Sequence, residues 1–412
     1  MRRTMPTEPA VDTASPPSPR PRRALSQTGS FALAATVLAV FLAASTAPSP
    51  MYALYQREWH FSSTVLTVVF AVYMVGVLAA LLLFGSLSDQ LGRRPVLLGA
   101  TALEAVSLLV LASAPDVGWL CAGRVLQGLA TGAVTSAVSA TLLDFQPQGS
   151  GRGPLVNGSA AAAGMAVGSV LAGALVQFAP APTRLSYLVL VAALVVLFLG
   201  ILAMPEPVTG RRAELRRILR PQRPTVPRGR GRTFALLATT MLAAWTVGGM
   251  FMSLGPSVAA GLADSAPRLA GGLTVTVLAG VGSLAQVLAA GWHGTRAVRL
   301  AVAPLVVGLA AVAGAVVLDS AVLLFAGSLV LGAGWGLMFT GGFRMLSALA
   351  TPDQRAGTSA MIYVVAYLSA GGSSILLGYL TTLFGLDAAT IVFAVAAATF
   401  TVLAGVGSGR LR

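Results

Sequence analysis

The chain has no lysine, one cysteine and two histidines among its 412 residues. Only 10% of it is charged, where soluble domains carry about a quarter. These scarcities exclude much. Cys121 alone can form neither an internal disulfide nor a cysteine metal cluster. His60 and His293 fall in loops expected on opposite faces, which removes a two-histidine metal site. No His-Glu-x-x-His, no pair of aspartates inside an apolar run and no Gly-x-Ser-Gly element occurs. An intramembrane enzyme is therefore not expected, and neither a metal nor a cofactor. No Gly-x-x-x-x-Gly-Lys-Ser/Thr loop is present, so nucleotide hydrolysis by that device is excluded.

What is there is hydrophobic: 56% of the residues. The apolar runs are long enough to cross a bilayer. They fall at about 30–46, 64–84, 95–114, 117–140, 158–178 and 186–204, then at 233–254, 270–290, 300–318, 321–345, 358–380 and 387–407. The expected fold is all-α and integral to the membrane: twelve transmembrane helices in two pseudo-symmetric six-helix bundles, 30–204 and 233–407. Residues 1–29 hold six prolines and five arginines and read as a disordered tail, followed by an uncleaved first helix. Residues 205–232 hold nine arginines and read as a linker; 408–412 form a short C-terminus. The net charge of +14 comes from arginine. On this topology 23 arginines face the cytoplasm, three (Arg57, Arg184, Arg268) face outward and Arg124 lies inside a span. That asymmetry is the positive-inside pattern, not a nucleic-acid footprint. It places the chain in the cytoplasmic membrane with both termini cytoplasmic. The halves look like a worn duplication: Gly85 aligns with Gly291 at an offset of 206, and Pro147 with Pro352 at 205.

Between the second and third runs lies Gly85-Ser86-Leu87-Ser88-Asp89-Gln90-Leu91-Gly92-Arg93-Arg94. Arg93 and Arg94 suffice to fix topology, but Asp89, an acid beside a membrane, needs another reason. A carboxylate can hold the free N–H groups at a helix N-terminus, and Gly85 on the same face permits close approach. The stretch resembles the loop signature of the major facilitator superfamily. That resemblance implies a transporter, with Gly85, Asp89, Gly92, Arg93 and Arg94 as gating residues. Asp89 and Arg93 are expected to latch to the start of the eleventh helix, near Gly357-Thr358-Ser359, when the protein opens outward.

Inside the fourth run, Arg124, Gln127, Gly128 and Thr131 share one helical face. With Leu120 this resembles a second signature of the superfamily, whose arginine is tied to proton coupling. Glu104 is the acid within the third run and lies at similar depth, so it is the expected partner of Arg124 and a candidate proton site. In the fifth run Gly164, Gly168 and Gly173 resemble the drug–proton antiporter pattern, with Ser169 where that pattern has proline and Ala172 where it has glycine. Together with Gly128 and Gly132 these glycines also suit plain helix packing. Gln127, Trp245, Met250, Phe251, Phe339, Tyr363 and Tyr367 are candidate cavity residues, since aromatic and Met surfaces suit bulky apolar or cationic ligands. The expected function is secondary active transport by alternating access, as proton-coupled export of lipophilic or cationic compounds. The alternative is proton-coupled uptake of a sugar or other polar metabolite. The expected partners are a small-molecule substrate, protons and membrane lipid, with the chain acting as a monomer.

Overall fold

The computed structural model describes residues 25–147, 151–208, 222–263, 265–351 and 354–409. Among these, secondary structure is helical throughout and no strand occurs. Twelve helices are long and apolar enough to cross a membrane. They are α1 (Gln27–Thr46), α2 (Ser63–Phe84), α3 (Arg93–Ala112), α4 (Val117–Phe145), α5 (Arg152–Phe178), α6 (Leu185–Ala203), α7 (Gly231–Ser253), α8 (Pro267–Leu288), α9 (Gly294–Val317), α10 (Ala321–Ser347), α11 (Arg355–Phe384) and α12 (Leu386–Gly409).

Local chemistry sets several starts. Ser26, Ser62, Asp116 and Ser320 accept a backbone N–H from the first turns of α1, α2, α4 and α10. Several helices outrun their apolar cores. α4 ends at Phe145 rather than 140, α5 starts at Arg152 rather than 158, and α9 at Gly294 rather than 300. A hydropathy pattern marks only the lipid-buried length, and hydrogen bonding carries the helix on into polar residues. The segment between the first two apolar runs is also largely helical: a 3₁₀ turn, Ser49–Met51, then a helix, Tyr52–Trp59, ended by left-handed His60. Tyr52 and Tyr55 are buried there, and Trp59 stacks on Tyr55 with ring centroids 4.7 Å apart.

Two helix pairs carry most of the contact between the halves, α5 with α8 and α2 with α11. Along the first seam Ser169 Oγ donates to the Gly272 carbonyl (3.0 Å) and Thr276 to that of Ala166 (2.8 Å). Along the second, Thr64 and Thr382 share a hydrogen bond of 2.9 Å. Large apolar side chains stay exposed on the outer faces, Val75, Val167, Val196, Phe178 and Val322 among them. Exposure of that extent is what a lipid-facing surface requires. The chain is a multi-pass membrane protein.

Candidate functional site

Small residues let α2 and α4 meet almost backbone to backbone. A Cβ on Gly128 would lie 2.9 Å from the Gly76 Cα, and one on Gly132 would lie 2.6 Å from the Val77 carbonyl oxygen. That crossing puts Tyr73 beside Arg124, whose guanidinium lies 4.1 Å from the ring centroid. Arg124 is buried and donates to the Ser45 carbonyl (3.0 Å) and to Gln127 Oε1 (2.5 Å). Gln127 Nε2 in turn donates to the Ala44 carbonyl (3.0 Å) and to Glu104 Oε1 (3.1 Å). Arg124 and Glu104 are thus brought together, but through an amide rather than as a direct ion pair. Glu104 Oε2 and Arg124 Nε have no hydrogen-bond partner among the described residues. Both belong to side chains at most 1% exposed.

Gln127 is committed to this chain of bonds and is fully buried, so it does not line an open cavity. Met250 and Phe251 are also fully buried, in the packing around α7. The other four candidate cavity residues come together. Trp245 stands 4.9 Å from Tyr367 and 6.2 Å from Phe339, and Tyr363 stands 6.3 Å from Tyr367. Phe343, which sequence reading missed, closes the circuit at 6.1 Å from Phe339 and 6.2 Å from Tyr363. Its signal was present, four residues from Phe339 on the same helical face. The opposing wall is Phe70, Tyr73, Met74, Val77 and Leu81 of α2. Tyr73, also missed, therefore touches both the aromatic circuit and Arg124. A separate cavity of about 330 Å³ lies between the two short helices Tyr52–Trp59 and Gly255–Gly261, lined by Gln56, Arg57 and Ser257 among others, away from this site.

At the far end of α2, Asp89 pairs with Arg93, and Arg93 Nε pairs with Asp144 Oδ2 of α4 at 2.9 Å. Arg93 also donates to Ser88 Oγ (2.9 Å). These bonds stay within the first half and do not reach the start of α11. Gly92 turns at φ 101° directly before α3. The side chain of Glu206 sits there and accepts the N–H of Arg93 and of Arg94, each at 2.9 Å. Arg94 donates to the Leu202 carbonyl. What approaches Gly85 is Gln222 of the linker, not a helix: a Cβ would meet its Nε2 at 2.8 Å. In the second half Arg344 takes over, donating to the carbonyls of Ala289, Ala290 and Trp292 at the end of α8.

The glycines of α5 divide their work. Gly164 and Gly168 seat the backbone of α1 at Ala39 and Ala43, and Gly173 seats Gly272 of α8 across the seam. Gly332, Gly334 and Gly336 are likewise packing positions, against α8 and α9, in an unbroken α10.

Residues 33–373 match the sequence profile of the Major Facilitator Superfamily. Over 109 residues the chain is 37% identical to the efflux pump dotC of Dothistroma septosporum, covering 26% of this chain and 19% of that protein. Over 94 residues it is 40% identical to the class G tetracycline resistance protein of Vibrio anguillarum, covering 23% and 24%. The matches thus span about a fifth to a quarter of these relatives' length. A solved structure of the xylose transporter XylE from E. coli superposes with a TM-score of 0.74, over 93% of this chain and 97% of that one, at 13% identity. At that identity the likeness is one of fold.

Proposed function

Because the chain belongs to the Major Facilitator Superfamily, whose members are transporters and not enzymes, we propose that it exports lipophilic or cationic compounds in exchange for protons. Its two halves would rock about the seams α2–α11 and α5–α8, in a cytoplasmic membrane with Asp89 on the cytoplasmic side. The observation that carries the reading is the buried chain Glu104–Gln127–Arg124, separated from the aromatic circuit by the ring of Tyr73.

The sign of coupling follows from charge. With Glu104 ionised, the pair Glu104 and Arg124 is neutral and the aromatic circuit attracts a cation through ring faces. A proton on Glu104 leaves Arg124 uncompensated. A cation beyond the Tyr73 ring then loses the attraction of Glu104 while Arg124 still repels it; over roughly 12 Å at an effective dielectric near 20 that loss is about 1.4 kcal/mol, about ten-fold in affinity. Protonation from outside therefore expels the cation, and release of the proton inside restores binding. Uptake of a sugar fits the same residues less well, because a sugar site needs several buried amides and, of Gln127 and Gln286, Gln127 already uses both its polar atoms.

The test is transport in proteoliposomes with an imposed pH gradient, on the wild-type chain and on Glu104→Gln. The wild type should drive a lipophilic cation against its gradient, and the variant should lose that drive by at least about ten-fold while still binding a neutral lipophile. Undiminished gradient-driven transport in the variant removes Glu104 from the mechanism.

A further inference from the structure

The linker re-enters the described structure at Gln222 and lies between the halves before α7 begins. The Gln222 N–H donates to the carbonyl of Leu82, in the last turn of α2, at 2.7 Å. Three residues on, the Thr225 N–H donates to the carbonyl of Gly357, in the first turn of α11, at 3.0 Å. One short non-helical segment therefore bonds to both halves, at one end of the α2–α11 seam. Three residues of extended chain reach about 9–10 Å, which suits the gap between two neighbouring helices.

The sequence is made for this. Prolines at 221, 224 and 227 recur every third residue, the period of the polyproline II helix, which has no internal hydrogen bonds. Residues 222 and 225 each follow a proline, so their N–H groups share one face of such a segment and both are free to donate outward. Two glycines receive it. A Cβ on Gly85 would sit 2.8 Å from Gln222 Nε2, and a Cβ on Gly357 would sit 3.1 Å from the Arg223 carbonyl oxygen and closer still to the Thr225 side chain. Both glycines thus make room for the linker rather than for one another's helix.

We propose that residues 222–227 are a strap that holds the ends of α2 and α11 together, and that the halves part on this side only when the strap lets go of one of them. This rests on the alternating-access reading above. It adds that the barrier to opening is set by two main-chain hydrogen bonds from the linker, not by Asp89 and Arg93, whose ion pairs close within the first half.

The experiment measures the seam directly. Leu91→Cys and Ala356→Cys, both at exposed positions, one in the loop after α2 and one in the first turn of α11, are spin-labelled in a Cys121→Ser background. Their distance distribution is read by pulsed electron resonance in lipid. Gln222→Pro and Thr225→Pro each delete one N–H without changing the extended path. Each should shift the balance toward the longer distance by about five-fold, the value of one net hydrogen bond, and the double variant by more. Gln222→Ala and Thr225→Ser keep the N–H groups and should match the wild type, which separates loss of the bond from damage to the fold. If the proline variants show the wild-type distribution, the strap is refuted. If the wild type shows one fixed distance whatever substrate or pH is applied, alternating access fails, and the strap with it.

Discussion

Arg124 shows how much of the site rests on single side chains. Its guanidinium reaches a carbonyl of α1, an amide of its own helix and the face of Tyr73. Planarity is what permits the face-on contact with Tyr73, and an ammonium group cannot reproduce it. Arg124→Lys keeps the charge yet should lower transport by at least about ten-fold, since the stacking of the guanidinium on Tyr73 is lost. The same preparation should elute on size exclusion at the wild-type volume. Full activity in that variant would mean that only the charge matters. Arg124 and Glu104 were legible in the sequence because a charge inside an apolar run stands out. The bridging role of Gln127 was not, since spacing alone placed it on a cavity wall. Nor was Tyr73, whose position depends on the close crossing permitted by Gly76 and Gly128 on two different helices.

The start of α3 teaches the same lesson for an element. Its first N–H groups need acceptors, and the residue before it, Gly92, has no side chain to supply one. Glu206, beyond the end of α6, supplies both oxygens to Arg93 and Arg94. A negative charge at a helix N-terminus adds dipole stabilisation to the cap. Glu206→Ala should therefore cost about 1–2 kcal/mol, seen as a melting midpoint lowered by about 2–4 °C in detergent. Glu206→Gln should recover part of the loss, because the amide oxygen still accepts. An unchanged midpoint in the alanine variant would show that water replaces the cap. The helices themselves were readable from hydropathy, and their number agrees with expectation. Their ends were not, because polar turns past the lipid are held by bonds such as this one, made by a residue more than a hundred positions away.

At the scale of the molecule, the two seams differ in kind. Small residues and main-chain carbonyls line α5–α8 along its length, which suits a surface that slides or pivots without repacking. The α2–α11 seam is graded: threonines at one end, aromatic and aliphatic rings in the middle, the linker at the other. Motion that exposes the middle of this seam must open one end while the other stays shut. The threonine end can be fixed chemically, since the hydroxyls of Thr64 and Thr382 already lie 2.9 Å apart and Cys121 can be removed. Thr64→Cys with Thr382→Cys, oxidised in the membrane, should reduce transport by at least about ten-fold if this end opens in each cycle, as a covalent bond of that geometry allows little separation. A reducing agent should restore the rate. Transport that continues at the wild-type rate in the cross-linked protein would confine the motion to the other seam and would leave the aromatic circuit closed to substrate from this side.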